Sequence, residues 1–241
     1  MSMPQAFLDA SGCICALSRR KQGNMSLFYG DTAAALKNRE SFLRELDIDY
    51  RNLVCAKQIH SSKIKRVEEK DKGRGALSYQ DAIADTDAFI TNKKNLPLAI
   101  FTADCLSIFL SDPKTASIGL VHAGWRSTKE EITIRAIRLM QDSFNTQVKD
   151  LYLGFGPVIR ECCCEVGVEF NEYFPGYLRE RNNHYYLDLV GINKKQILGL
   201  GIKPSRIIDS GICTSCQKQE FFSYRREKEG CGRMMSVIML R

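Results

Sequence analysis

Three histidines and ten cysteines among 241 residues limit where metal-ion or nucleophile chemistry can sit. His60 follows Val54-Cys55-Ala56-Lys57-Gln58-Ile59. Cys105 follows Thr102-Ala103-Asp104. His122 follows Ile118-Gly119-Leu120-Val121 and opens Ala123-Gly124-Trp125-Arg126. Each lies where a short apolar run meets small or turn residues, and loops at strand ends present reactive side chains to a cleft. Two imidazoles and one thiolate suit zinc, and three protein ligands leave a fourth position open, the mark of a catalytic site. Water held there is a good nucleophile at neutral pH. The same donors bind copper in electron-transfer proteins, but the sequence lacks the late Cys, His and Met cluster of those sites.

Other chemistry is open to the same residues. Cys105 could be a nucleophile, with His122 as base and Asp104 or Asp87 as orienter, and spacing does not separate thiolate-on-metal from thiolate-with-base. Asp87 and Asp104 are candidates for acid–base work or for orienting a ligand histidine, beside the plainer reading as turn carboxylates. Arg126 stands near a helix start, where a guanidinium and free N–H groups could hold an anion. Cys213-x-x-Cys216 resembles half a zinc knuckle. It needs two more ligands, from Cys13-x-Cys15 or Cys162-Cys163-Cys164, if the fold brings them close. Arg225-Arg226 reads as a phosphate clamp or a strand end. His184, after the polar stretch 179–183, is expected to be exposed.

The elements that must position these residues follow from hydrophobic periodicity. Strands are expected over Gly12 to Leu17, Leu53 to Ala56, Asp87 to Thr91, Leu98 to Thr102, Leu106 to Leu110 and Ser117 to Val121. Later ones are expected over Leu151 to Phe155, Tyr185 to Leu189, Arg206 to Ile208, Phe221 to Tyr224 and Ser236 to Leu240. Helices are expected over Ala33 to Leu46, capped by Asp31 or Thr32, and over Ile192 to Leu200, closed by Gly201. Between them, Ser127 and Glu130 match a capping box, and Ile132, Ala136, Ile137, Met140 and Phe144 form one apolar face. Strands in runs with few helices between them indicate an α+β or layered α/β domain rather than a doubly wound parallel sheet.

Composition narrows the partners. The hydrophobic share of 44 % and charged share of 26 % are those of a globular domain with a sizeable core. One domain over residues 1–241 is expected. The net charge of +7 comes from scattered residues, not the basic stripe with interleaved aromatics of a nucleic-acid binder, and it suits anionic small-molecule substrates. No apolar run approaches the roughly 20 residues that span a bilayer. Met1 to Leu8 lacks the pattern of a secretory leader, so a reducing, cytoplasmic setting with free cysteines is expected.

Lys57-Gln58-Ile59-His60, Thr102-Ala103-Asp104-Cys105 and Val121-His122-Ala123-Gly124-Trp125-Arg126 together resemble three signature segments of the YfiH-like family. These are the laccase-domain purine nucleoside phosphorylases, once called polyphenol oxidases. Asp85 to Thr91, Gly156-Pro157-Val158-Ile159 with Cys163 and Glu165-Val166-Gly167, Cys213-Thr214, Ser223-Tyr224-Arg225-Arg226 and Gly232-Arg233 agree in order. The resemblance covers about residues 25 to 241. It implies a single layered domain with mixed β-sheets flanked by helices, and His60, Cys105 and His122 as ligands of zinc, with copper as the other candidate. It implies phosphorolysis of adenosine, inosine or guanosine to free base and ribose 1-phosphate, with methylthioadenosine phosphorolysis and adenosine deamination beside it. Cys105, Asp87 and Asp104 are then expected in catalysis, and Gln58, Arg126 and Arg225 at the substrate. A copper-dependent phenol oxidase and a metal-free cysteine hydrolase are the alternatives, and a binding protein with structural zinc is the non-enzymatic one. Three residues depart from the usual pattern: Ser127 where glycine is frequent, Ser107 where proline is, and Cys164 where tyrosine is.

Overall fold

A computed structural model describes residues 4–241. Residues 1–3, the start of the expected domain, lie outside the described residues. Two mixed sheets pack face to face. The larger has six strands in the order Ile207–Asp209, Tyr152–Phe155, Leu106–Asp112, Ser117–Ala123, Ala88–Thr91 and Ile64–Arg66. Its central three pairings are antiparallel, and both edge pairings are parallel. The second sheet orders Ile14–Leu17, Met234–Met239, Leu98–Thr102 and Val54–Cys55.

Alternation along the strands builds the layers, because successive side chains leave a strand on opposite faces. Phe89, Phe109, Ile118 and Leu120 of the large sheet meet Leu98, Ile100 and Ile238 of the small one in the core between the sheets. Ala88, Ile90, Leu106, Ile108, Val121 and Ala123 point the other way, against the helices Ile132–Phe144 and Leu189–Gly199. Ala99, Met235 and Val237 face Phe42 and Leu43 of the helix Thr32–Arg44. The result is an α+β architecture of helix, sheet, sheet and helix layers. Because both sheets are covered on both sides, their strands read as continuous apolar runs. The anchors Ile132, Ile137 and Met140 are fully buried, each contributing roughly 1.5–3 kcal/mol of transfer free energy.

Most expected elements form within a residue or two of their expected ends. Asp31 caps its helix, accepting the N–H groups of Ala33 and Ala34 at 2.8 and 3.3 Å. Two expectations fail. Ser127 and Glu130 do not cap the long helix. A short helix, Trp125–Lys129, starts at Gly124, and Ser127 Oγ accepts the Gly124 N–H at 3.0 Å. Glu131, with φ +56°, then breaks the chain before Ile132–Phe144. Phe221 to Tyr224 is not a strand, because Ser223 caps a single helical turn, Tyr224–Glu227. The sequence reading also missed the helix Gln5–Ser11 and the strands Ile64–Arg66, Leu178–Arg181 and Glu165–Val166, the last two of which flank the expected strand His184–Leu187 in an outlying three-stranded sheet. No helix among the described residues is long and apolar enough to cross a membrane.

Candidate metal centre and cleft

His60, Cys105 and His122 converge. Their ligand atoms all lie within 4.8 Å of one another, and His60 Nε2 is 3.8 Å from Cys105 Sγ. Nitrogen and sulfur ligands on one tetrahedral zinc stand about 3.6 Å apart, from bond lengths of about 2.05 and 2.3 Å. The donor set and spacing therefore fit a shared cation. Three separate pieces of backbone bring it about. His122 is the penultimate residue of the strand Ser117–Ala123 and is buried. Cys105 immediately precedes the neighbouring strand Leu106–Asp112. His60 stands in the loop beyond Val54–Cys55 with φ +60°, a left-handed conformation uncommon outside glycine.

Asp87 holds that arrangement. One carboxylate oxygen meets His122 Nδ1 at 2.8 Å and accepts the His60 N–H at 3.0 Å. The other accepts the Ser61 N–H at 2.7 Å, the Ser61 hydroxyl at 2.9 Å and the Ile59 N–H at 3.2 Å. A fully buried carboxylate thus fixes the His122 ring through Nδ1, leaving Nε2 for a ligand, and folds the loop carrying His60. Burial opposes its charge, but His122 and Ser61 outweigh that and hold its pKa below the ordinary value. Gly124 supplies clearance: a Cβ there would lie 2.9 Å from His60 Cδ2 and 3.2 Å from Cys105 Sγ.

Cys105 and His122 each favour the charged form of the other. Burial would raise the Cys105 thiol, but the charge of His122 and hydrogen bonds from His122 and His60 bring it down to about 6. Burial likewise opposes charge on His122, yet Cys105 and Asp87 raise it to about 9. Such reciprocal perturbation marks a site built for charge.

The three residues line a cavity of about 830 Å³, which reaches the ordinary range for small-molecule sites. Trp125 forms part of one wall, packed edge-on to Phe170 at 5.0 Å and stacked on Tyr173 at 6.0 Å. Phe28 and Tyr79 form another, 4.7 Å apart. Arg126 is exposed at the rim, 4.3 Å over the Trp125 ring. Arg225 lines the cavity, and its guanidinium has no hydrogen bond or ion pair among the described residues. Its backbone N–H donates to Asp104 at 2.7 Å. Asp104 also accepts the Thr214 and Ser223 hydroxyls at 2.7 and 3.0 Å, so its carboxylate ties two later loops to the residue before Cys105. Gln58 faces the cavity with its amide engaged by the Phe101 backbone at 2.7 and 2.9 Å. Arg226, the other half of the expected clamp, instead donates to the Thr214, Ser215 and Phe221 carbonyls. The sequence reading did not single out Tyr29, and it named Arg233 only within the Gly232-Arg233 segment; the Arg233 guanidinium lies 4.2 Å over the Tyr29 ring at the cavity wall. Their segments come together only in the fold. His184 is exposed and pairs with Glu165 at 2.8 Å.

Known proteins share this arrangement of chain. Purine nucleoside phosphorylase YlmD of Geobacillus stearothermophilus is 32 % identical over 232 residues, covering 89 % of this chain and 82 % of the relative. Its crystal structure aligns with a TM-score of 0.91 at 31 % identity, covering 95 % of this chain and 92 % of that one. Adenosine deaminase RL5, from an unknown prokaryotic organism, is 27 % identical over 97 % of this chain and 93 % of its own. The family model described as multi-copper polyphenol oxidoreductase laccase matches residues 12–241, and the chain belongs to this YfiH-like laccase-domain family.

Proposed function

We propose that the protein is a zinc-dependent purine nucleoside phosphorylase that cleaves adenosine, inosine or guanosine with phosphate into free base and ribose 1-phosphate. The observation that carries this reading is the convergence of His60, Cys105 and His122 on the wall of a cavity lined by aromatics and an unpaired arginine. Zinc held by these three side chains would supply Lewis acidity toward the substrate and, for deamination of adenosine, activation of water. Methylthioadenosine phosphorolysis and adenosine deamination belong to the same proposal. A relative named adenosine deaminase supports the second.

This chain's own groups take defined parts. Arg225 and Arg126 hold the phosphate anion, for which a free guanidinium in a partly dry cleft is well suited. Trp125 and the aromatic pair Phe28 and Tyr79 receive the flat purine and its ribose. Asp87 is a positioning residue for both histidines. Asp104 positions Arg225 and the Thr214 and Ser223 loops. Gln58 shapes the wall through its grip on Phe101. The domain over residues 1–241 works as one cytoplasmic unit, in keeping with ten unpaired cysteines.

Purified protein incubated with adenosine and phosphate tests the proposal. Adenine with ribose 1-phosphate, or inosine, should form, and Cys105→Ala should reduce both to background. Equal product from wild type and Cys105→Ala would contradict it. Copper-dependent phenol oxidation is the rival, and phenol turnover restored by copper but not zinc would favour it.

A further inference from the structure

Four cysteines stand apart from the centre already described. Cys162 and Cys163 lie in the turn after Arg160, and Cys213 and Cys216 lie in the turn beyond the strand Ile207–Asp209. Fifty residues separate the two turns in sequence, yet the four sulfurs all lie within 4.8 Å of one another. Cys216 Sγ is 3.6 Å from Cys162 Sγ and 3.4 Å from Cys163 Sγ. Four sulfurs on one tetrahedral zinc, at bond lengths of about 2.3 Å, stand about 3.8 Å apart. A disulfide would need about 2.05 Å. The observed spacing is too long for a disulfide and close to that of thiolates around a shared ion, and tetrahedral sulfur sites select zinc or iron.

From this geometry we propose that Cys162, Cys163, Cys213 and Cys216 bind a second, structural zinc ion. The backbone is arranged for it. The N–H groups of Cys163 and Cys164 both donate to the Arg160 carbonyl at 2.8 Å, forming the turn that presents the first pair. A parallel bridge between Val158 and Cys213 holds the two turns in register. Four protein sulfurs leave no open position, which makes the ion structural rather than catalytic.

Its place in the fold says what it steadies. Thr214, next to Cys213, donates to Asp104, the neighbour of Cys105. Cys164, next to Cys163, lines the cavity. Cys213 is buried at the edge of the main core, whereas Cys162 and Cys216 are exposed at the outer ends of the two turns. The ion clamps the two loops that close this side of the cleft.

Metal counting on protein purified under reducing conditions tests the proposal. Wild type should carry two zinc ions per chain. Cys162→Ser/Cys216→Ser should carry one, and so should His60→Ala/His122→Ala. The two losses are independent, so failure of the first centre would not be mistaken for failure of the second. Should the cysteine variant not fold, cobalt loaded into His60→Ala/His122→Ala gives the second readout. Thiolate-to-cobalt absorption about fourfold that of a single-thiolate site is expected. Zinc content unchanged by the cysteine replacements, no metal in the histidine variant, or a disulfide among the four in reduced protein would each overturn the proposal.

Discussion

The two thiol-bearing clusters use similar donors in opposite surroundings. His60, Cys105 and His122 sit at the ends of paired strands and in the loop beside them, and a buried carboxylate, Asp87, meets both histidines. Cys162, Cys163, Cys213 and Cys216 sit on two surface turns, with sulfur donors alone and two of the four exposed. The first group is held by hydrogen bonds to Asp87 that need no ion, and it faces a cavity. The second is anchored to the core through Cys213, its only fully buried member, so an ion there would tie the exposed ends of the two turns together. Pre-organisation with an open face suits chemistry, whereas a closed set of thiolates suits folding.

Changes at the first cluster should leave the second untouched, and the largest effect is expected at Asp87. Asp87→Ala removes the acceptor of the Ile59, His60 and Ser61 N–H groups and the partner of His122 Nδ1. Zinc affinity at the first centre should fall on the order of 10- to 100-fold, and stability by about 3 kcal/mol. Competition with a chelator and denaturant titration measure these. Unchanged affinity would mean that the histidines hold their places unaided.

Gly124→Ala comes next. Its Cβ would press on His60 Cδ2, so the ring must turn from Cys105. A roughly tenfold loss of zinc affinity is expected, with little loss of stability. Turnover would fall with metal occupancy, and restoring occupancy with excess zinc should recover most of it.

The smallest effect is a pH signature. In metal-free protein, iodoacetamide should label Cys105 with a midpoint near pH 6, well below an ordinary thiol, because the thiolate is the nucleophile. A depressed thiol pKa means that thiolate is present above about 6 and lost as pH falls through it. A raised His122 pKa means that imidazolium is present below about 9 and lost as pH rises through it. Between those values zinc must displace a proton from His122. Below about 6 it must displace one from Cys105 as well. Affinity should therefore fall with acid, more steeply below about 6. A Cys105 labelling midpoint near 9 would sever the link to His122.

Legibility in the sequence followed how local each signal is. The three ligands could be read because each adjoins an apolar run ending in small or turn residues, as in Thr102-Ala103-Asp104-Cys105. The central strands were equally clear, since burial on both faces makes them uniformly apolar. The Ser127 cap misled because Gly124 starts a helix three residues earlier and Glu131 then breaks it at positive φ. The strand Leu178–Arg181 was hidden by its exposed, charged Leu-Arg-Glu-Arg sequence. Gln58 shows the limit for the site. Its motif position was visible, but its engagement with Phe101, 43 residues away, is a tertiary fact. The meeting of Cys162 and Cys163 with Cys213 and Cys216 is another.

Anomalous diffraction from crystals of the metal-loaded protein, recorded on either side of the zinc and copper edges, tests the central claim most directly. A zinc-edge peak is expected about 2.0–2.3 Å from His60 Nε2, Cys105 Sγ and His122 Nε2 together. Full metal content with no peak bonded to all three atoms would contradict the account.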